Sequence, residues 1–235
     1  MAYDYLGLTN DVLTRMNEVV LTASSFASAR GFQIQCKNAV NDSISYINSR
    51  EYSWPYNHAT QTETLVASTT RYTIPTTAKH VDYDTFRIIK DDSLGTSGGS
   101  LKILDYKEYL DRFIDQEDTS NAGSVPSHVF RTPDNNFGLY PYPDKAYSLK
   151  YEYYIYTTAL TDSTDVPTIP EQYRQVITDG ATAYAYQYRG EANEYQLNFQ
   201  RFQEGMKSMQ SLLSNRAEYI RSTIVPKNTF SRVVA

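Results

Sequence analysis

The sequence predicts an α+β protein in which helices from both chain ends form a bundle and an antiparallel β domain is inserted between them. Apolar residues recur at three- and four-residue spacing near both ends, whereas runs rich in Thr, Tyr and Ile occupy the middle. A chain of 235 residues is long enough to bury a core in each part. The predicted boundaries are residues 1–58 and 165–222 for the bundle, 59–164 for the β domain and 223–235 for a C-terminal tail.

Two helices are predicted in the first fifty residues. The first begins near Thr9 or Asn10, and its apolar stripe comprises Val12, Leu13, Met16, Val19 and Val20. The second has a stripe formed by Phe32, Cys36, Val40, Ser43 or Ile44, and Ile47. Trp54-Pro55 ends the helical pattern, because the proline ring disfavours the α conformation at the residue before it. We expect Trp54 to anchor the core there; a contact in an interface is the alternative.

The middle of the chain has the pattern of short strands. Strands are predicted at residues 64–67, 71–75, 85–90, 101–104, 129–132, 137–142 and 147–157. A brief amphipathic helix is predicted at 105–115 and an exposed loop at 116–126. The Pro133–Asn136 stretch indicates a hairpin turn, because Asn tolerates positive φ.

Helical patterning returns after Pro170, which can occupy a first helical turn. The helix that follows has Tyr173, Val176, Ile177, Gly180, Ala181 and Tyr184 at helical spacing. A last helix is predicted from about Glu191 to Ile220, with an apolar stripe of Ala192, Tyr195, Phe199, Phe202, Met206, Met209, Leu212 and Leu213. Pro226 should end any helix, since proline lacks an amide donor and clashes with the preceding turn.

Composition excludes several classes of protein. The net charge of −5 argues against a surface that binds nucleic acid or anionic membrane along the whole chain. The single cysteine excludes an internal disulfide framework and multi-cysteine metal sites, and three scattered histidines add little. The N-terminus has no signal-peptide pattern, and no apolar run approaches the roughly 18 residues of a spanning helix. We expect a protein with no metal and no cofactor.

One stretch imitates a catalytic motif. Residues 95–99, Gly-Thr-Ser-Gly-Gly, match G-x-S-x-G, whose serine must lie on a tight turn between a strand and a helix. Here a strand is predicted to follow, so a hairpin connector is favoured over a hydrolase nucleophile at Ser97, and nothing places His80 or Asp84 beside it. Cys36 lies on an apolar stripe and is interpreted as a small buried hydrophobe. The sequence therefore predicts no enzyme; a serine hydrolase remains a minor alternative.

The 22 tyrosines are the strongest compositional signal. Core packing explains at least half of them, but Tyr140, Tyr142, Tyr154 and Tyr156 exceed what a small β domain needs to bury. Such a surplus favours protein–protein contact. A carbohydrate- or surface-binding β module on a helical stalk is the alternative function, and stacking on single-stranded nucleic acid is a further one.

Two sets of residues are candidate contact sites. Polar loops and the adjoining tyrosines are expected to meet neighbouring subunits or a partner ring: Ser120, Asn121, Gly123, Asn135, Asn136, Tyr140 and Tyr142. The tail is apolar and basic, with a local charge of +3 after Glu218. Its candidate docking residues are Arg221, Ile224, Val225, Lys227, Phe230, Arg232 and Val233.

Several stretches together resemble the head-to-tail adaptor proteins of short-tailed phages, the tail tubular protein A family. In the first half they are residues 8–13, 17–19, 29–33, 37–41, 47–48 and 54–55; in the second half they are residues 137–141, 165–173 and 180–184. These motifs belong to the fold and tolerate sequence variation, and they include no catalytic signature. The large β insertion departs from the short members of the family, which leaves open which loops touch the nozzle.

The resemblance implies a structural virion protein in the neck between capsid and tail, assembled in the host cytoplasm. Its partners would be further copies in a ring, usually twelve, the portal protein and the tail nozzle. Double-stranded DNA would pass through the lumen without specific binding, and no membrane is involved. By the same resemblance, the C-terminal tail would dock in clefts between portal subunits.

Overall fold

The computed structural model describes residues 2–51, 53–116 and 123–213. The predicted fold class is confirmed, because helices lie at both ends and largely antiparallel sheets in the middle. The helices are α1 (Tyr5–Arg15), α2 (Ala23–Phe26), α3 (Phe32–Arg50), α4 (Tyr106–Arg112), α5 (Arg174–Arg189) and α6 (Ala192–Leu213). The strands are β1 (His58–Thr64), β2 (Arg71–Tyr72), β3 (Ala78–Ile88), β4 (Gly99–Ser100), β5 (Lys102–Ile103), β6 (His128–Arg131), β7 (Phe137–Tyr140) and β8 (Ser148–Ile155).

The described residues group into two compact units. The helical unit contains residues 2–43, 162–165 and 170–213, and the β unit contains 44–51, 53–116, 123–161 and 166–169. The C-terminal part of α3, residues 44–50, thus groups with the strands, although the sequence predicts it to lie in the bundle. The predicted boundaries at 58/59 and 164/165 stay a prediction.

Helix α1 begins and ends earlier than its apolar stripe predicts. The helix begins at Tyr5, because amides of its first turn find acceptors there. The Asp4 carboxylate accepts a hydrogen bond from the Gly7 amide (2.7 Å), and the Tyr5 amide donates to the Asp165 carbonyl (2.8 Å). The helix ends at Arg15, and Asn17 has a left-handed φ of 55°. Val19 therefore lies outside the helix, and the predicted start near Thr9 is wrong.

Helix α5 is the centre of the helical unit. Residues 176–183 are all buried, so this stretch is covered on every side. Gly180 permits the closest approach: a Cβ there would lie 2.4 Å from Ser43 Oγ and 2.8 Å from the Phe202 ring. On α6, Phe202, Met206 and Met209 are buried as predicted, whereas Ala192 and Leu212 are exposed because they lie at the helix ends. The predicted end at Ile220 falls outside the described residues.

The β unit is a sandwich of two four-stranded sheets with the orders β1-β8-β3-β4 and β2-β7-β6-β5. All pairs are antiparallel except the short β5–β6 pair, which arises because the chain crosses from one sheet to the other at Leu101. The predicted strand at 64–67 is wrong, since β1 starts at His58 directly after a short 3₁₀ turn. The strand predicted at 71–75 is observed as β2, which is shorter, and the strand predicted at 85–90 overlaps the end of β3, which is longer.

Aromatic rings fill the space between the sheets. Phe86 stacks on Tyr151 at 4.5 Å between ring centroids and meets Phe137 edge to face at 5.1 Å. A second aromatic cluster lies under α4, where Tyr109 stacks on Phe130 at 3.9 Å. The predicted helix at 105–115 is confirmed as α4, which Asp105 caps by accepting a hydrogen bond from the Lys107 amide. Trp54 is buried and donates to the Ile47 carbonyl, as a core anchor should.

Candidate assembly surfaces

The predicted loop contacts separate into two groups at opposite ends of the β6–β7 hairpin. The register pairs His128 with Tyr140 at one end and Arg131 with Phe137 at the other. Asn135 and Asn136 form the turn beyond the second pair, whereas Gly123 and Tyr142 lie beyond the first. The two groups therefore present separate surfaces.

At the turn, the two asparagines have different environments. Asn135 is exposed and has a left-handed φ of 68°, which confirms the predicted tight turn. Two hydrogen bonds fix Asn136. Its side-chain oxygen accepts one from the Ile74 amide (3.2 Å), and its backbone carbonyl accepts one from the Tyr83 hydroxyl (3.2 Å). Hydrogen bonds from Thr132 and Asn136 hold the pKa of Asp134 below its usual range. Asn135 is thus exposed on a turn that hydrogen bonds hold, beside the exposed Pro133 and Asp134.

At the opposite end, the tyrosines are mostly covered. Tyr142 is only 8% exposed and lies under Gly123, where a Cβ would come within 2.5 Å of the ring. Tyr140 stacks on Phe113 at 4.1 Å between ring centroids. Ser120 and Asn121 lie outside the described residues. Of the four tyrosines predicted as a surplus, Tyr156 is 60% exposed, Tyr140 and Tyr154 are half-buried and Tyr142 is buried. Their role in contacts stays a prediction.

The helical unit has an apolar surface that the sequence analysis missed. The loop of residues 17–21, here called the Val19 loop, leaves Val19 77% exposed, and Val20, Ile34 and Tyr188 are also exposed. Stripe periodicity placed Val19 and Val20 inside a helix core. Asn17 was a possible signal that the helix ends there, because Asn adopts the left-handed conformation more readily than other non-glycine residues.

Hydrogen bonds fix the Val19 loop. The Asn10 side chain bonds both the amide and the carbonyl of Leu21, each at 2.8 Å, and Gln33 donates to the Val19 carbonyl at 3.2 Å. Glu18 also forms an ion pair with Arg189, at the end of α5. The loop is therefore a preorganised apolar surface, which loses little conformational entropy when it binds a partner.

Ion pairs connect α1 to α5 along the helical unit. Asp11 pairs with Arg174 at 2.7 Å and Arg15 with Asp179 at 2.6 Å. Asp179 also accepts from the Gln175 side chain at 2.8 Å. These pairs border a shallow polar groove lined by both helices. They fix the two helices against each other without forming a cleft that encloses a ligand.

A family model for the SU10 adaptor protein matches residues 3–226 of the sequence. The chain belongs to the SU10 adaptor protein family. This membership supports the coarser part of the resemblance, a phage head-to-tail adaptor, whereas the narrower tail tubular protein A family is not confirmed. No curated protein matches the chain in a sequence comparison.

The two candidate nucleophiles of this SU10 adaptor family chain, Ser97 and Cys36, do not lie in the environments that catalysis needs. Ser97 is exposed in the connector between β3 and β4, and the strand–turn–helix geometry of a nucleophile elbow does not occur there. Cys36 is fully buried, and burial raises the pKa of its thiol to about 12. Across residues 2–51, 53–116 and 123–213 no His, Cys, Asp and Glu side chains cluster as metal ligands would, and no helix has the length and hydropathy to cross a bilayer.

All seven candidate docking residues of the tail lie outside the described residues: Arg221, Ile224, Val225, Lys227, Phe230, Arg232 and Val233. The family match ends at residue 226, so the last nine residues also lie beyond the matched region. Their role stays a prediction from sequence.

Proposed function

We propose that the chain is one subunit of an adaptor ring of twelve copies in the virion neck, where it joins the portal to the tail nozzle. The family match over nearly the whole chain carries this proposal. The ring forms part of the channel through which double-stranded DNA leaves the capsid, and it assembles in the host cytoplasm. A net charge of −5 suits a conduit that must not hold its cargo.

Two surfaces support a role in connecting other proteins. The Val19 loop offers a rigid apolar patch on the helical unit, and the Asn135 turn offers a rigid polar tip on the β unit. Exposed apolar patches that the fold holds rigid are typical of protein-binding sites. We assign the helical surface to the portal and the β-unit loops to neighbouring subunits or the nozzle.

The tail is proposed as a further anchor in clefts between portal subunits. It combines Val225, Phe230 and Val233 with three basic residues on an otherwise acidic chain. Burial of two or three such side chains contributes roughly 1.5 to 3 kcal/mol each before ordering costs. Removal of Lys227 to Ala235 should leave the melting temperature of the monomer nearly unchanged and abolish stable attachment.

Electron microscopy of the purified chain mixed with its portal tests the function directly. Rings stacked on the portal are expected with the intact chain. The chain that lacks Lys227 to Ala235 should separate from the portal during gel filtration. Particles assembled without the chain should release their DNA. If no ring forms on the portal and particles lacking the chain retain DNA, the proposed function is wrong.

The alternative functions have less support. A carbohydrate-binding module rested on exposed tyrosines, and most of the described tyrosines are covered. Saturable binding on a glycan array would favour that alternative over an adaptor. Labelling by a fluorophosphonate probe that is lost in Ser97→Ala would favour a serine hydrolase, and we expect no labelling.

A further inference from the structure

The β sandwich is open on two different sides. One side ends in β1 of the first sheet and β2 of the second; the opposite side ends in β4 and β5. Among the described residues no strand pairs with the outer edge of any of these four. An edge strand presents unpaired amides and carbonyls that can template the addition of another strand.

Strand β1 is the long edge. Its seven residues pair with β8 in a regular register from His58–Tyr154 to Thr64–Ser148, without a bulge. The Leu65 amide donates to the Tyr147 carbonyl, so residues 59, 61 and 63 bond β8 and residues 58, 60, 62 and 64 direct their backbone groups outward. The Glu152 amide, opposite Thr60, accordingly donates away from β1, to Thr85 Oγ1 (2.9 Å).

The devices that usually protect an edge are largely missing from β1. The strand contains no proline, no lysine and no bulge, and Glu63 is its one acidic residue. Thr60, Thr62 and Thr64 are exposed and β-branched, which suits an added strand. A seven-residue edge of this kind is an unusual feature in a protein that remains a free monomer.

The opposite side ends in two strands of only two residues each. Strand β4 ends the first sheet and β5 ends the second, and Leu101 joins them. The amides of Leu101 and Lys102 bond Phe86 and Ser127, which leaves the backbone groups of Ser100 and Ile103 facing the open side. Ile103, in β5 of the second sheet, is 54% exposed, so a copy that docks on this side would cover apolar surface as well.

We propose that β1 of one copy pairs with the β4 edge of the next copy, where Ser100 faces outward, so that the first sheet continues from subunit to subunit. A ring needs two different complementary surfaces on each subunit, and the two open sides are such a pair. The small Gly99 and Ser100 let another backbone approach closely. The inference rests on the proposed ring and names the contact that would close it.

A proline variant tests the backbone edge. Thr62→Pro removes only an amide that points away from β8, so the intramolecular ladder stays complete. Thr62→Ala is the matched control, because it removes the same side chain and keeps the amide. We expect Thr62→Pro to weaken ring assembly on the portal at least tenfold, with Thr62→Ala assembling like the parent. Equal assembly of both variants, with the proline variant folded, would overturn the proposal.

A crosslink identifies the occupant and does not depend on the proline variant. Chains carrying Thr62→Cys and chains carrying Ser100→Cys are assembled together on the portal and oxidised. The buried Cys36 does not interfere. A disulfide-linked dimer is expected only when both variants are present. Rings that form without this crosslink would overturn the contact and leave the adaptor function intact, whereas absence of rings from the parent chain would contradict the function itself.

Discussion

The two units are stabilised by different chemistry. In the β unit, rings pack on rings: Phe86, Phe137 and Tyr151 contact one another between the sheets. In the helical unit, small residues such as Gly180 bring α5 close to its neighbours, and ion pairs connect α5 to α1. Ring packing tolerates small shifts in register, whereas close backbone approach does not.

Buried tyrosines lie mainly in the β unit. There, tyrosine rings join Leu, Ile, Val and Phe side chains in the core, and even a buried hydroxyl is accepted: Tyr151 Oη has no hydrogen-bond partner in the described structure. Each unit also leaves one described tyrosine exposed: Tyr188 in the helical unit and Tyr156 in the β unit. Composition alone therefore does not show which tyrosines are buried and which are exposed.

Loss of a central ring should have the largest effect. Phe86 is fully buried and contacts three rings, including Tyr83 at 5.4 Å. Phe86→Ala should lower the free energy of unfolding of the β unit by about 4 kcal/mol, because it removes apolar burial and leaves a cavity. Denaturant unfolding followed by the fluorescence of Trp54, which lies in the β unit, measures this effect. Tyr156→Ala, at a 60% exposed ring, is the control and should cost less than about 0.5 kcal/mol.

Addition of a single methyl group should have the next largest effect, in the helical unit. Gly180→Ala places its Cβ 2.4 Å from Ser43 Oγ, which donates to the Ile177 carbonyl, and 2.8 Å from the buried Phe202 ring. We expect a net loss of about 2 kcal/mol by far-UV circular dichroism, after the helix-propensity gain of alanine.

Gly205→Ala is the matched control for that substitution. It gains the same helix propensity, but its Cβ would meet only Val176, at 3.0 Å. A loss at Gly205 as large as that at Gly180 would show that close approach at Gly180 is not what distinguishes the helical unit.

The sequence predicted the order of elements better than their ends. Periodicity located α3 and the strand β8 correctly, because consecutive turns of a helix, or alternate residues of a strand, face one core. The start of α1 depends on the Asp4 cap, a local signal that was overlooked, and on the Asp165 carbonyl, more than 150 residues away, which no local pattern contains. The Val19 loop was missed for a different reason, because its valines continue the helical spacing although the helix has ended before Asn17.

An ion pair in the helical unit should matter less than Gly180. Asp179→Asn keeps the side-chain shape and removes the charge beside Arg15, whose guanidinium also contacts Thr178 at 3.2 Å. A loss of about 1.5 kcal/mol is expected, between the values for exposed and buried pairs. Glu108→Gln breaks the exposed Glu108–Arg112 pair on α4 and is the control, with an expected loss below about 0.5 kcal/mol. Equal small losses would mean that the α1–α5 pairs do not stabilise the helical unit.

The smallest effect should come from a carboxyl group that the β unit covers partly. Burial raises the pKa of Glu63 above its ordinary value of 4.5. Well below pH 4.5 the carboxyl is protonated in both the native and the unfolded state, so it does not change the free energy of unfolding. As the pH rises through the raised pKa, the native state must ionise a half-buried group, and stability falls. Glu63→Gln should therefore raise the melting temperature at pH 7 by a small amount and leave it unchanged near pH 4. An equal rise in melting temperature at both pH values would mean that the charge of Glu63 is not the cause. The β unit would then accommodate a partly buried carboxylate, as the helical unit does at Asp179.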